Sequence, residues 1–338
     1  MLPAMVLTAG LGSRLRPLTY VRAKPAVPVA GDPLVRRVLR WLASCGVRDI
    51  VLNLHHLPDS IRTAVGDPAD LGVRVSYSNE PTLLGSAGGP RRALPQLGAD
   101  RFFLVNGDTL AAVDLGALAA AHAASGAEVT MALIPNPDPS AYGGVAVDGD
   151  GAVTGFVPRG LSNGGFHFAG IQAVEASVFA GLPPDRPAES VGGLYPSLIR
   201  GRPGCVRAFF SDVPFRDIGT PADYLATSLA IARLEQSPVP CQGAGCLIDG
   251  AARLIRTVLW DDVSVGADAE LTDCIVADHA CIPPGARFRH AAIVRREGRD
   301  PDPGETIIAD LLVAAFAPRP ARDEDFADDP EAGRHKLP

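Results

Sequence analysis

The apolar run Met5-Val6-Leu7 leads directly into Ala9 to Pro25, which reads Ala-Gly-Leu-Gly-Ser-Arg-Leu-Arg-Pro-Leu-Thr-Tyr-Val-Arg-Ala-Lys-Pro. A strand that feeds a loop of this kind predicts an anion site. Gly10 and Gly12 carry no Cβ and can take positive φ, so their backbone N–H groups can approach a ligand closely, and Arg14, Arg16 and Lys24 surround that position with fixed positive charge. The loop fits neither common glycine-rich fingerprint. A dinucleotide-binding turn needs a third glycine where Leu15 stands, and a Walker loop needs Gly-Lys-Ser/Thr five residues after its first glycine.

The chain around this loop alternates in a way that predicts an α/β fold. Asp49–Leu54, Val73–Tyr77 and Phe102–Val105 read as strands. Asp32 with Pro33 is expected to open a helix closed by Gly46, and Asp114 a second helix closed by Gly126. Strands alternating with helices imply a parallel or mixed sheet covered on both faces. Ligands in such sheets sit beyond the C-terminal strand ends, where Gly10 and Asp108 both fall. Residues 145–153 read as a hairpin with an Asp-Gly turn, and Thr220-Pro221 as the cap of a helix running to about Gln236.

Beyond that helix the pattern changes. Ser237-Pro238-Val239-Pro240 reads as a linker. Leu247, Leu259, Val265 and Leu271 then fall on a six-residue spacing, which Val276, Ile282 and Phe288 resume after a one-residue slip. A second column holds Ala251, Thr257, Val263, Ala269, Ile275, Ala280, Ala286 and Ala292. Two registered columns predict a short left-handed parallel β-helix. The expected division is an α/β domain over 1–236, a linker over 237–244, the β-helix over 245–297 and a loosely held tail over 298–338.

Composition narrows the partners. With 31 basic and 38 acidic residues in 338 and a formal charge of −7, a broad nucleic-acid surface is not expected, so any anion site is local. No apolar stretch is long enough for a membrane span and no signal peptide is read at the start, which gives a cytoplasmic expectation. The six cysteines form no Cys-x-x-Cys pair and read as reduced thiols rather than a zinc site.

With Arg14-Leu15-Arg16-Pro17-Leu18-Thr19 and Lys24-Pro25 following its glycines, the loop resembles the signature of the sugar-1-phosphate nucleotidylyltransferases, Gly-x-Gly-Thr-Arg-Leu-Arg-Pro-Leu-Thr followed by Lys-Pro. Ser13 replaces the threonine and keeps a hydroxyl. The resemblance covers roughly the first two-thirds of the chain. It implies transfer of a nucleoside monophosphate from an NTP to a sugar 1-phosphate with release of pyrophosphate, Mg²⁺ as the cofactor, and Arg14 and Lys24 as catalytic cations. It further implies nucleotide contacts from Ala9, Gly10, Leu11, Gly12 and Ser13, and from Leu84-Gly85-Ser86-Ala87-Gly88, which resembles the family's Leu-Gly-Thr-Ala-Gly segment; Asn79 and Glu80 are added as base or sugar contacts. Asp108, at the end of the Phe102–Val105 strand, and Asp217, in Arg-Asp-Ile-Gly-Thr-Pro, match the family's metal-binding aspartates.

The sugar side departs from the family. Phe-Val-Glu-Lys-Pro becomes Phe156-Val157-Pro158-Arg159-Gly160, and Asn-Ala-Gly becomes Phe168-Ala169-Gly170. A rearranged pocket is expected, with Arg159 on the sugar phosphate and Tyr142, Gly143, Gly170 and Glu189 as lining. The resemblance favours a mannose-1-phosphate guanylyltransferase-like activity. A uridylyltransferase acting on an amino-sugar 1-phosphate, a bifunctional acyltransferase and a non-catalytic nucleotide-sugar-binding homologue are the alternatives. His55 and His56 follow a strand and point to opposite faces, so they are expected as one packed and one exposed residue rather than a ligand pair. Because every chemical motif precedes Tyr224, the β-helix is expected to serve homo-oligomer assembly or to shield the catalytic part.

Overall fold

The computed structural model describes residues 1–161, 165–239 and 241–319. A nine-stranded mixed sheet dominates the N-terminal part. Its centre is parallel: Ala4–Leu7 lies between Arg101–Asn106 and Asp49–Leu54, and Asp49–Leu54 pairs in turn with Arg74–Asn79. The long strand Phe166–Glu175 runs antiparallel to Arg101–Asn106 and to Val129–Pro135, which makes the sheet mixed. The hairpin Gly144–Val147 with Val153–Val157 extends it, as the Asp-Gly turn predicts. Apolar residues fill both faces. Met5, Phe102 and Leu104 point to one core and Ala4, Val6, Phe103 and Val105 to the other, the alternation expected of strands buried on both sides.

Of the three helix starts expected at Asp32, Asp114 and Thr220, two are found as expected. Asp114 accepts the Ala117 N–H at 2.9 Å and opens Leu115–Ser125, which Gly126 closes with φ +64°. Thr220 and Asp223 form a reciprocal capping box at the start of Pro221–Leu234. Asp32 and Pro33 are instead a short strand paired with Pro28–Val29, and the helix begins at Leu34. Asp32 spends its carboxylate on Arg40, 2.8 Å away, so a side-chain ion pair displaces the expected cap.

After Val239 the chain winds into a coil of short parallel strands. Each register partner lies 17 positions further on: Cys241 pairs with Val258 and Val258 with Ile275 in one stack, and Leu247 with Ser264 and Ser264 with Cys281 in a second. Arg253, Glu270 and Arg287 start the third. Seventeen positions on three faces account for a six-residue spacing that slips by one. Corner residues adopt left-handed φ: Gly245, Asp262 and His279 at one edge, and Arg256, Asp273 and His290 at another. Glycine, Asp and His tolerate that region better than β-branched residues, so His279 and His290 are corner residues. The expected boundaries shift. Cys241–Gln242 already belongs to the coil rather than to a linker. Glu305–Ile308 and Leu311–Ala315 form a hairpin whose second strand pairs antiparallel with Arg287–Arg295, so this part of the tail is held in the sheet. Residues 320–338 of the expected tail lie outside the described residues.

The coil is joined to the sheet by a shared core. Trp260 is fully buried, packs edge-on against Tyr224 at 6.3 Å and donates its indole N–H to the Tyr224 hydroxyl at 2.8 Å. The Tyr224 hydroxyl in turn donates to the Pro28 carbonyl. Cys241, Val258, Ile275, Ala277 and Ala292 belong to the same apolar cluster as the strand residues Ala4 and Val6. Trp260→Ala should therefore cost about 3–5 kcal/mol, and chemical denaturation of the intact chain should show a single transition for both parts. Two separate transitions would show that the coil folds independently of the sheet.

Candidate active site

Ser13–Leu15 is a short 3-10 turn. Gly12 precedes it with φ +62°, and an added Cβ would lie 2.8 Å from Thr19 Cγ2 and 3.1 Å from Lys24 Cβ. The Thr19 hydroxyl donates to the Gly12 carbonyl at 3.0 Å. The loop thus folds back on itself, bringing Arg14 and Lys24, ten positions apart, onto one cleft.

That cleft holds about 370 Å³ and is lined by Ala9, Gly10, Gly12, Ser13, Arg14, Lys24, Gly85, Ser86, Asn106, Asp108 and Glu189, among others. A second cavity of about 390 Å³ is lined by Tyr142, Gly143, Phe156, His167, Phe168, Val191, Phe215 and Asp217. Arg14, Asn106 and Asp108 line both. They form the wall at which the two spaces meet.

Charge is concentrated at this wall. The Lys24 ammonium lies 2.7 Å from Asp108 Oδ2. Asp217 follows Arg216 in a two-residue strand paired with Thr109–Leu110, which sets it beside Asp108. At Gly219, an added Cβ would sit 2.8 Å from Asp217 Oδ2 and 3.2 Å from Arg14 Nη1; the absence of a side chain lets these two groups converge. Burial would raise the Asp108 pKa, but the charges of Lys24 and then Arg14 outweigh it and hold the carboxyl below the usual range. The Asp217 carboxyl is pushed up to about 6 by burial and by the negative charge of Asp108, with Lys24 and Arg14 opposing.

Behind the cleft lies a buried polar chain. Asn53 Oδ1 accepts the Thr8 N–H at 2.7 Å, and the Asn53 amide donates to Glu80 Oε1 at 2.7 Å. Glu80 Oε2 accepts the Leu84 N–H at 2.9 Å. Glu80 therefore ties the start of the Gly85–Leu97 helix to the central sheet. At that helix start, Glu189 Oε2 accepts the Ser86 hydroxyl at 2.6 Å.

In the second cavity Tyr142, His167 and Phe215 form an aromatic trio, with ring centroids 4.8 Å apart for Tyr142–His167, 5.6 Å for Tyr142–Phe215 and 5.1 Å for His167–Phe215. His167 Nδ1 lies 2.9 Å from the Gly143 carbonyl. A carbonyl only accepts, so Nδ1 carries the proton, and burial lowers the imidazole pKa despite that hydrogen bond. Burial thus favours the neutral ring, whose Nε2 is an acceptor.

Several expected residues stand elsewhere. Leu11 is 43% exposed and does not line the cleft. Asn79 accepts from Arg62 at 2.9 Å and borders a separate surface hollow. Glu80 is 3% exposed and engaged with Asn53 and Leu84, so it supports the cleft from behind. Gly88 packs closely against the Arg186 and Ala188 backbone. Arg159 is exposed and lines neither cavity. Gly170, with φ +77°, sits at the irregularity in Phe166–Glu175, where an added Cβ would meet the Asn106 side chain at about 3 Å; it gives Asn106 room. Glu189 borders the first cleft instead of the second. His55 and His56 are both half-buried and held by the Glu80 and Thr19 carbonyls at 2.9 and 2.8 Å, so neither is the exposed member of a pair. Sequence reading assigned no site role to Asn106, two residues before Asp108, and missed Asn53, His167 and Phe215, which lie far apart in the chain.

Residues 3–233 match the family model described as nucleotidyl transferase. The chain belongs to that family. It is 30% identical to the mannose-1-phosphate guanylyltransferase of Mycobacterium tuberculosis, over 87% of this chain and 83% of that protein. It is 36% identical to the N-acetylmuramate alpha-1-phosphate uridylyltransferase of Neisseria meningitidis serogroup B, over 59% of this chain and 84% of that protein. Among solved structures it resembles HddC of Yersinia pseudotuberculosis complexed with GMP-PN, with a TM-score of 0.60 and 26% identity over 68% of this chain and 99% of that one.

The two loop glycines are under different constraints. Gly12→Ala forces a non-glycine residue to positive φ against Thr19 and should cost about 1–2 kcal/mol of stability. Gly10→Ala meets nothing within 4 Å and should leave the melting temperature unchanged, yet weaken tripolyphosphate binding measured by calorimetry. A Gly10→Ala protein that binds tripolyphosphate as wild type does would remove that backbone from the anion site.

Proposed function

We propose that this chain transfers a nucleoside monophosphate from an NTP to a sugar 1-phosphate, releasing pyrophosphate. The observation that carries the reading is the shared wall. A donor nucleotide in the Gly10–Lys24 cleft and an acceptor phosphate in the Tyr142–Phe215 cavity would meet at Arg14, Asn106 and Asp108. In the reaction an acceptor phosphate oxygen forms a bond to the α-phosphorus while the bond to the pyrophosphate oxygen breaks, with no covalent enzyme intermediate. Arg14 and Lys24 offset the charge that accumulates on the leaving group, and holding both substrates at one wall supplies the in-line geometry.

Asp108 and Asp217 fit Mg²⁺. Their mutual repulsion, visible in the raised Asp217 pKa, leaves the pair short of positive charge even with Lys24 beside it. No group of three or more His, Cys, Asp or Glu side chains suited to a metal occurs among the described residues; magnesium makes do with one or two carboxylates and takes its remaining ligands from phosphate and water. When bound there, the ion would neutralise α-phosphate charge.

GTP with a mannose-like acceptor is the favoured pair. The mannose-1-phosphate guanylyltransferase match extends over 87% of the chain, reaching past the nucleotidyl transferase segment. UTP with an amino-sugar phosphate is the second reading, favoured by the higher 36% identity of the uridylyltransferase over its shorter span. We extend the proposal to the C-terminal coil: the spaced columns of small and apolar residues support left-handed winding. Its open first turn, with Leu247 72% and Ile255 48% exposed, supports a homo-oligomer. A reaction that consumes nucleoside triphosphates supports a cytoplasmic setting. No helix among the described residues is long and apolar enough to cross a membrane.

A pyrophosphate-release screen of the four NTPs against sugar 1-phosphates tests the reading, with GTP and mannose 1-phosphate expected to react fastest. Asp108→Asn and Asp217→Asn should each lower turnover about 100-fold or more while the fold persists. Unchanged Mg²⁺-dependent turnover in either variant would remove that aspartate from the site. In the ligand-free protein Asp217 keeps a proton that the unfolded chain releases near pH 4, so its contribution to stability declines as pH rises from about 4 to about 6. Stabilisation by Mg²⁺ should grow over the same window, as melting curves at pH 5 and 7 would show.

A further inference from the structure

The anion loop is held from outside as well as from within. Between Arg14 and Lys24 the chain turns away from the cleft and meets the C-terminal coil. The Arg22 Nε and Nη2 donate to the two carboxylate oxygens of Asp278, each at 2.7 Å, and Nη2 also donates to Asp261 at 2.5 Å. The guanidinium lies 5.3 Å from the centre of the buried Trp260 ring. Asp278 is itself fixed, since its Oδ1 accepts the Asp261 N–H at 3.0 Å. Asp261 and Asp278 occupy the same place on successive turns of the coil, so its 17-residue register stacks two carboxylates to receive one guanidinium. Lower on the loop, Arg16 and the Tyr20 hydroxyl donate to Asp302 at 2.8 and 2.6 Å.

These contacts are unequal. The Arg16–Asp302 pair is nearly half exposed, 45% and 47%, and adds little. Arg22 and Asp278 are 19% and 11% exposed, and their bidentate geometry is the stronger kind. The chain enters the cleft two residues after Arg22, where Lys24 reaches Asp108. Two residues span at most about 7 Å, so a shift of Arg22 is passed to Lys24 with little slack.

We propose that Arg22, Asp261 and Asp278 are positioning residues: the coil clamps the phosphate loop through Arg22 and so sets where the Lys24 ammonium stands. This rests on the nucleotidyl-transfer reading for its kinetic test and on geometry for the rest. It gives the C-terminal module a part in catalysis that assembly or shielding does not require. Holding the two parts together is the task of the Trp260–Tyr224 contact and the shared core; the Arg22 clamp acts on the loop.

The test uses the full chain and compares Arg22→Gln, Asp278→Asn, Arg22→Lys and Lys24→Met, with the double variant Arg22→Gln/Lys24→Met. Arg22→Gln and Asp278→Asn should each lower kcat about tenfold or more, with circular dichroism unchanged. Arg22→Lys should restore only part, because an ammonium cannot make the two-pronged contact. Once Lys24 is gone, Arg22→Gln should lower kcat by no more than about twofold further, since the two act through one group. Full multiplication of the two effects, or wild-type kcat in both Arg22→Gln and Asp278→Asn, would overturn the proposal. Absence of turnover in the wild-type protein with every substrate pair would instead count against the nucleotidyl-transfer reading. Tripolyphosphate affinity then decides the clamp: it should fall alike in Arg22→Gln and Lys24→Met, and wild-type affinity in Arg22→Gln would overturn it.

Discussion

Two carboxylates and two cations converge at the wall between the cavities, Arg14 and Asp108 within it and Lys24 and Asp217 on either side, and most of the fold can be understood as the means of holding them there. Asp108 and Asp217 repel one another, and burial increases the cost of ionising either. With Lys24 at 2.7 Å and Arg14 close by, Asp108 stays ionised, and the remaining imbalance falls on Asp217. Only Arg14 and Lys24, ten positions apart, are near one another in sequence. Asp108 comes from the end of a central strand, Asp217 from a short strand just before a capped helix, and Arg14 and Lys24 from a loop closed by Gly12. The parallel sheet supplies the common floor, because its strand ends lie side by side.

Support for that wall is layered. Asn53 and Glu80 join three segments behind the cleft by hydrogen bonds that have no access to water. Buried polar chains of this kind are favourable only when every member is satisfied, and the bonds from Thr8 through Asn53 and Glu80 to Leu84 meet that requirement. On the outer side the coil holds Arg22, and the Trp260–Tyr224 contact fastens the coil to the sheet. A loop rich in glycine is intrinsically mobile; here it is fixed at Thr19, at Lys24 and at Arg22, which leaves little freedom for the chain between.

What could be read from the sequence was what local chemistry decides. A strand followed by Gly-x-Gly and spaced cations, an Asp cap answered by Gly126, and Thr220 with Pro221 each specify their own geometry over a few residues. The reading failed where partners are distant. Asp32 looks like a cap until Arg40 takes its carboxylate. Glu80 looks like a ligand contact because it precedes the Leu84–Gly88 segment, yet its hydrogen bonds to Asn53 and Leu84 make it a brace. The six-residue columns revealed the coil, whereas its 17-residue turn and its hold on Arg22 depend on which carboxylates the register brings together. His167 and Phe215 carried no signal, since 48 positions separate them in the chain.

The second cavity shows how a departure from a motif changes chemistry without removing the site. Pro158 and Phe168 replace a glutamate and an asparagine of the resembled pattern, and the lining now includes the rings of Tyr142, Phe156, His167, Phe168 and Phe215. Aromatic faces match the apolar C–H face of a pyranose better than its hydroxyls, so the cavity is suited to recognising ring shape. Polar side chains also line it, namely Arg14, Asn106, Asp108, Thr109, His167 and Asp217. Among them His167 stands out, because the Gly143 carbonyl fixes its tautomer and burial favours its neutral form, which presents Nε2 as an acceptor for a hydroxyl donor. A hydroxyl bound to a committed acceptor discriminates more sharply than apolar contact does, since its absence leaves a buried polar atom unpaired. His167 Nε2 is thus an oriented acceptor within an aromatic enclosure whose lining also includes the charged groups of Arg14 and Asp108.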